Sequence, residues 1–401
     1  MTPSPTVYLD HAATGPVRPE ALAALQAWLA EPRGNPSGTH HLARHARRAL
    51  DDARDVLAHA LGCGPGDLVF TAGGTEADNL AVLGVAEAVA ARTGRAPLVA
   101  CSAVEHHAVL EPVHALGGVV IPVDATGRVD PGSLAEHLAA DTDLVSVMAA
   151  NNEVGTVNDL AALTAAVAAH TDGRARVHTD AVAAFPWLDL RQAAAGVDLL
   201  TLSAHKFGGC QGVGLLMVRP DVPLRARLLG GGQERDRRSG TQNVAGIVAM
   251  AAAAAVTAAE RDATVRRVAG LRDRFVDGLR ERLDGVEETV ADRRLKVAGN
   301  AHVCIDGVVS EELMFLLDRS GVCASAASSC ASGAISLSHV LEAMGIDRRR
   351  GAGAVRFTFG WSSTDDDVER AVGIAVDAVC RLRSARSVRS ARFARPARAA
   401  G

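Results

Sequence analysis

The chain has 401 residues, 48 % of them apolar and 22 % charged, with a formal net charge of −4. That balance is ordinary for a globular chain with a sizeable core and excludes a wholly disordered one. The mild negative charge gives no general attraction to nucleic acid, so direct binding to it is not expected. The first residues, Met1-Thr2-Pro3-Ser4-Pro5, show no basic stretch followed by an apolar core. No apolar run of about 20 residues lacks a charge or repeated glycines, and the expected setting is cytoplasmic, away from membranes.

From about residue 50 to 220, short apolar runs alternate with helical patterns. Strands are expected at Leu68–Thr71, Leu98–Ser102, Val119–Val123, Leu144–Met148, Arg176–Thr179, Leu199–Leu202 and Gly214–Val218. Between them lie Ala/Leu-rich segments with helical spacing, such as Glu76–Ala91, Pro131–Ala139 and Asp159–His170. This alternation predicts an α/β fold with a mostly parallel sheet covered on both faces, and ligands at the carboxyl ends of its strands. After Gly230-Gly231-Gly232 comes an Ala-rich helical region from Val244 to about Leu283, whose second half alternates acids and arginines as an exposed connecting helix does. The segment from about Leu295 to Arg383 reads strand, helix, loop, helix, strand, helix, a smaller α+β unit. From Arg381 to Gly401 there are seven arginines and no acid. This predicts a solvated, disordered basic tail, with a docking element as the alternative.

Two residue counts narrow the chemistry. The seven cysteines (63, 101, 210, 304, 323, 330 and 380) form no C-x-x-C pair and no zinc-type cluster, so free thiols are expected. Only two of the 42 basic residues are lysine, Lys206 and Lys296. Arginine does not deprotonate and forms no Schiff base, so a Schiff-base role has two candidate positions. Lys206 stands in Ser203-Ala204-His205-Lys206 at the end of a buried strand, whereas Lys296 reads as a surface residue. Val69-Phe70-Thr71-Ala72-Gly73-Gly74-Thr75-Glu76 runs from strand through a small-residue turn into a helix. Free N–H groups there, with the Thr75 hydroxyl, suit an anion, although a plain tight turn explains the pattern equally well. Asp180, at a strand's carboxyl end, can pair with a protonated ring nitrogen or simply cap a loop. His106, after the strand ending in Ser102, can stack on a ring or carry protons, although in isolation a satisfied loop histidine is the favoured reading. Together an anion-binding turn, a ring-nitrogen acid, a Schiff-base lysine and an aromatic stacker describe a pyridoxal phosphate site.

At this point the chain resembles cysteine desulfurases of the iron–sulfur-cluster and nitrogen-fixation type, within the class V aminotransferases of the fold-type I pyridoxal phosphate enzymes. The resemblance runs from Tyr8-Leu9-Asp10-His11-Ala12-Ala13-Thr14 to about Arg383. It is carried by Gly34-Asn35-Pro36-Ser37, Gly74-Thr75-Glu76-Ala77-Asp78-Asn79, Glu105-His106, Asn151-Asn152-Glu153-Val154-Gly155, Ser203-Ala204-His205-Lys206, Gly230-Gly231-Gly232-Gln233-Glu234-Arg235, Arg238-Ser239-Gly240-Thr241, Ser328-Ser329-Cys330 and Arg356-Phe357. It implies that Lys206 holds the cofactor covalently, His106 stacks over its ring and carries protons, and Asp180 pairs with the ring nitrogen. Gly74, Thr75, Ser203 and His205 would hold the phosphate, with Thr241 reaching the phosphate of a neighbouring subunit. Asn35, Asn152 and Arg356 would orient the substrate, and Cys330 would take its sulfur. The all-small run around Cys330 (Ala324 to Ala334) offers nothing to anchor in a core, as a travelling nucleophile requires.

The implied fold is a large domain (16–255) with a seven-stranded sheet and a small domain (1–15 and 256–383) carrying the cysteine loop at about 323–335, followed by the tail at 384–401. The implied activity converts L-cysteine to L-alanine in a homodimer, with the Cys330 persulfide passed to an acceptor protein. Selenocysteine lyases, sulfinate-releasing lyases and transaminases share the scaffold, and a sulfur-relay module working only inside a nucleic-acid-modification complex is the alternative of another class. The sequence departs from the pattern at Ala183, where a glutamine is usual, at Gln233, and at Phe207-Gly208-Gly209-Cys210-Gln211, which brings a second thiol near the cofactor lysine.

Overall fold

The computed structural model describes residues 6–326 and 337–393. Thirteen strands are present among these residues: β1 (Val7–Tyr8), β2 (Leu68–Thr71), β3 (Val99–Ser102), β4 (Val119–Ile121), β5 (Leu144–Ser146), β6 (Arg176–Asp180), β7 (Leu199–Ser203), β8 (Gly214–Val218), β9 (Val286–Glu288), β10 (Asn300–Ile305), β11 (Val322–Cys323), β12 (Ser325–Ala326) and β13 (Ala354–Thr358). The seven expected strands form one sheet in the order β2-β8-β7-β6-β5-β3-β4. Strands β3 to β7 pair in parallel, and only β8 runs against its neighbours β2 and β7. Strands covered on both faces lose the in–out alternation, which is why Leu199–Ser203 and Gly214–Val218 are buried throughout. Of the six strands that run together, all but the edge strand β4 end on small polar or acidic residues, Thr71, Ser102, Ser146, Asp180 and Ser203, all of them buried. The carboxyl edge of this sheet is therefore where polar chemistry collects in an otherwise apolar layer.

A second, four-stranded antiparallel sheet, β12-β13-β10-β9, and the parallel pair β1-β11 build the smaller core. The helix Val244–Arg280 serves both cores. Ile247, Met250, Ala253 and Ala254 pack under the large sheet, and Val268, Leu271, Phe275 and Leu279 pack with Val303, Phe357 and Phe359 in the small one. The change of core thus falls inside one unbroken helix. By length and composition alone this helix could cross a membrane, unlike the expectation from apolar runs; here the residues just named are spent on the two cores.

Two expectations are corrected. Lys296 is not a surface residue. It is buried and donates to Glu288 Oε2 at 2.5 Å, while Arg293 donates to Glu288 Oε1 at 2.8 Å. The neighbouring Arg293 and Arg294 make this stretch look solvated, but β9 brings a carboxylate inward for the lysine to meet. Breaking a buried ion pair by removing one charge costs about 3–5 kcal/mol. Glu288→Gln is therefore expected to lose stability of that order in chemical denaturation, with the large sheet's site chemistry intact. The basic tail is also not wholly disordered: the last helix runs Asp365–Phe393. Arg383 donates to the carbonyls of Asp284 and Asp306, and Arg386 pairs with Glu312 at 3.0 Å. Spaced three apart, these arginines share one helix face and dock it onto the small core.

Candidate active site

The site lies at the carboxyl edge of β5, β6 and β7, where the small domain and the N-terminal segment close over the large sheet. Lys206 follows β7 in a single helical turn, Ala204–Lys206. Its Nζ donates to the carbonyls of Ala12 (2.5 Å) and Ala13 (2.8 Å). Burial, with the Arg356 cation nearby, pulls the ammonium down to about 8, against the pull of Asp180 and Asp10. Asp180 ends β6, and its Oδ1 accepts the Val182 N–H at 2.8 Å. Burial pushes its carboxyl up to about 6, opposed by that hydrogen bond and by Lys206.

His106 caps the helix His107–Ala115, its Nδ1 accepting the Ala108 N–H at 3.1 Å. Burial and Lys206 lower its pKa to about 4, so the ring is neutral at physiological pH with its proton on Nε2. His205 is lowered to about 4 by burial and Lys206, and its Nδ1 lies 3.1 Å from Thr14 Oγ1. Ser203 is buried at the end of β7. It faces the start of the helix Gly74–Thr93, where a Cβ added to Gly74 would meet Ser203 Cβ at 3.6 Å and Val182 Cγ2 at 3.1 Å. The same turn packs backbone to backbone on β8, since a Cβ on Gly214 would lie 2.7 Å from the Gly73 carbonyl carbon. Thr75 is exposed on that turn. Glu76 clamps it, accepting the Ala72 N–H at 2.7 Å and two bonds from Arg238.

Arg356, on β13, reaches across from the small domain. It donates to the Asn152 carbonyl at 2.8 Å and to Asp10 Oδ1 at 3.0 Å. Lys206, Asp180, His106, Arg356 and Asn152 are thus one electrostatically connected group. Two expected residues are not joined to it. Asn35 is exposed and turns its Oδ1 onto the Ser37 N–H. Thr241 is exposed beyond the clamped turn. Cys330 and most of its loop lie outside the described residues. Cys210 is half-buried and packs on the large core, where burial raises its thiol pKa. Ala183 lines a cleft between the two cores together with Lys206, Asn152 and Asn300.

Several residues that shape the site carry no role in the sequence reading. His178 bridges Ser146 Oγ (2.7 Å) and Thr201 Oγ1 (3.1 Å) beneath Asp180, and its Nε2 stands 3.6 Å from Asp78. Glu105 is fully buried, takes bonds from Ser102 Oγ (2.5 Å) and the Met148 N–H (2.8 Å), and is pushed up to about 8 by burial. The alternation His178-Thr179-Asp180 along a strand was the available signal, because it puts residues 178 and 180 on one face.

These groups fit pyridoxal phosphate. A buried carboxylate whose pKa is raised by desolvation gains most from a cationic ring N–H beside it. A helix N-terminus flanked by Ser203 and Thr75 suits a phosphate, and a partly deprotonated lysine suits an aldehyde.

Residues 7–371 match the family model described as aminotransferase class-V. An IscS-like cysteine desulfurase of Mycobacterium tuberculosis is 41 % identical over 389 residues, covering 94 % of this chain and 97 % of that protein. The structure of a NifS-like protein superposes with a TM-score of 0.87 at 32 % identity, covering 94 % of this chain and 100 % of that one. SspA in complex with cysteine gives a TM-score of 0.76 at 27 % identity, over 88 % and 99 % of the two chains. With that family model matched over most of its length, and with relatives and folds of this kind matched over nearly the whole chain, the chain belongs to the class-V aminotransferase family.

Proposed function

We propose that this protein is a cysteine desulfurase. It converts L-cysteine to L-alanine, leaves the sulfur on Cys330 and hands it to an acceptor protein, acting as a cytoplasmic homodimer. The observation that carries this reading is the convergence of Lys206, Asp180 and Arg356 at one sheet edge in a chain whose full-length relatives are named cysteine desulfurases. The family's cofactor, pyridoxal phosphate, supplies an electron sink for the carbanion formed at the substrate's Cα.

The chain's own groups do the rest. Asp180 keeps the proton on the ring nitrogen. Lys206 Nζ, with its pKa lowered by burial, takes the proton from Cα. His106, neutral and fixed at Nδ1, carries protons at Nε2. Arg356 orients the substrate carboxylate with its planar fork. Cys330 takes the sulfur as a thiolate. Its loop leaves from β12, where Ser325 pairs with Arg356, and returns at Ser338, which donates to Glu153 at 2.5 Å.

The test is to add L-cysteine to the cofactor-loaded protein, assay alanine, and map sulfur by mass spectrometry of alkylated peptides. One added sulfur atom on Cys330, with alanine formed, is expected. Alanine without the adduct would favour a lyase that needs no thiol. Neither product, with the cofactor bound, would mean that cysteine is not the substrate.

A further inference from the structure

The Arg356 fork is already engaged inside the protein. Its side chain is only 8 % exposed. Nη1 donates to the Asn152 carbonyl and Nη2 to Asp10 Oδ1, while Nε is buried with no hydrogen-bond partner among the described residues. A carboxylate that matched the guanidinium would take two parallel bonds. Asp10 makes a single one, at 3.0 Å, and leaves the adjacent buried N–H unmet. A better-placed carboxylate therefore has more to gain here than Asp10 does.

Asp10 is also built to let go. Its backbone is held independently of its side chain. The segment bridges to Thr358, the His11 N–H donates to the Thr358 carbonyl, and Tyr8 Oη donates to the Asp10 carbonyl. Its side chain is 21 % exposed, so the carboxylate has a route to water without moving the strand.

We infer that Asp10 is a placeholder for the substrate's carboxylate on Arg356: the incoming amino acid displaces it, and its return helps release the product. This rests on the reading of Arg356 as the carboxylate anchor. Asp10 is then a positioning residue that acts through Arg356 and sets how tightly any α-amino acid is held. Without it, an under-paired buried cation waits for the ligand, and such a cation binds a carboxylate more tightly than one already neutralised.

The experiment compares the wild-type holoenzyme with Asp10→Asn and Asp10→Glu. Asparagine keeps the shape and an acceptor oxygen but removes the charge. The KM for L-cysteine and the Kd for L-alanine, read from the visible absorbance of the bound cofactor, are expected to fall about two- to fivefold in Asp10→Asn, the range for a partly exposed ion pair. Asp10→Glu should restore the wild-type values of both constants. Cysteamine, which has the amine and thiol but no carboxylate, should bind all three proteins alike. A raised KM in Asp10→Asn, or no change in either constant, would overturn the placeholder and leave Asp10 as a brace for Arg356. The anchor reading fails separately, and takes this inference with it, if the wild-type enzyme holds cysteamine as tightly as L-cysteine.

Discussion

Lys206→Ala is expected to lower alanine formation from L-cysteine by about 10⁴ while the protein stays folded. The lysine is buried against the N-terminal segment, and its pKa is drawn down to about 8, chiefly by burial and then by Arg356. That makes it the one strongly basic side chain at this sheet edge able to give up its proton near neutral pH. Lys206→Arg should not rescue the activity, because a guanidinium stays protonated and cannot accept the substrate's proton. The cofactor should still be captured in part through the Gly74–Thr93 helix end and Asp180, though without its covalent hold. Single-turnover alanine assays, with cofactor retention followed by visible absorbance after gel filtration, check both halves. Retention of more than a tenth of wild-type turnover would mean that another group removes the proton.

Most of the scaffold was legible because its signals are local. Parallel strands buried on both faces leave apolar runs such as Leu199-Leu200-Thr201-Leu202, and the seven expected strands make up one sheet. Lys206 stood out through scarcity, and Asp180 through its place at the end of an apolar run. What the sequence hid depends on contacts between distant segments. Asp10 meets Arg356 across 346 positions, and no periodicity marks either as the other's partner. Lys296 looked solvated because arginines precede it, whereas its setting is decided by Glu288 on the neighbouring strand. The C-terminal arginines looked like a free charge run. The carbonyls and the glutamate that receive Arg383 and Arg386 belong to loops and a helix some 75 to 100 residues earlier. Composition reports the charge in each of these cases, and only the fold reports the partner.

Asp180→Asn is expected to move activity and apoprotein stability in opposite directions. Turnover should fall about 10²–10³, because a neutral amide cannot hold the ring proton that makes the cofactor an electron sink. The apoprotein should become more stable at pH 8. Burial raises the Asp180 carboxyl from 3.8 to about 6, and only the Val182 N–H and Lys206 oppose that cost. Asp78, also fully buried close by, is itself pushed well above the carboxylate range by burial and by Asp180. As pH rises through the window from 3.8 to about 6, the unfolded chain releases the Asp180 proton first, so folding stability is lost across that window. Above it, the wild-type apoprotein carries a deficit on the order of 2–3 kcal/mol that the amide avoids. Asparagine keeps the acceptor for the Val182 N–H, so the substitution leaves that bond in place. Below about pH 3 the acid is mostly protonated in both states, and the advantage should vanish. Thermal unfolding of the two apoproteins at pH 3 and pH 8 reads this directly. A lower melting temperature for Asp180→Asn at pH 8 would mean that the protein already compensates this carboxylate by itself. The buried charge would then no longer be held ready for a cationic ring, and the strongest physical argument for the cofactor's orientation would be lost.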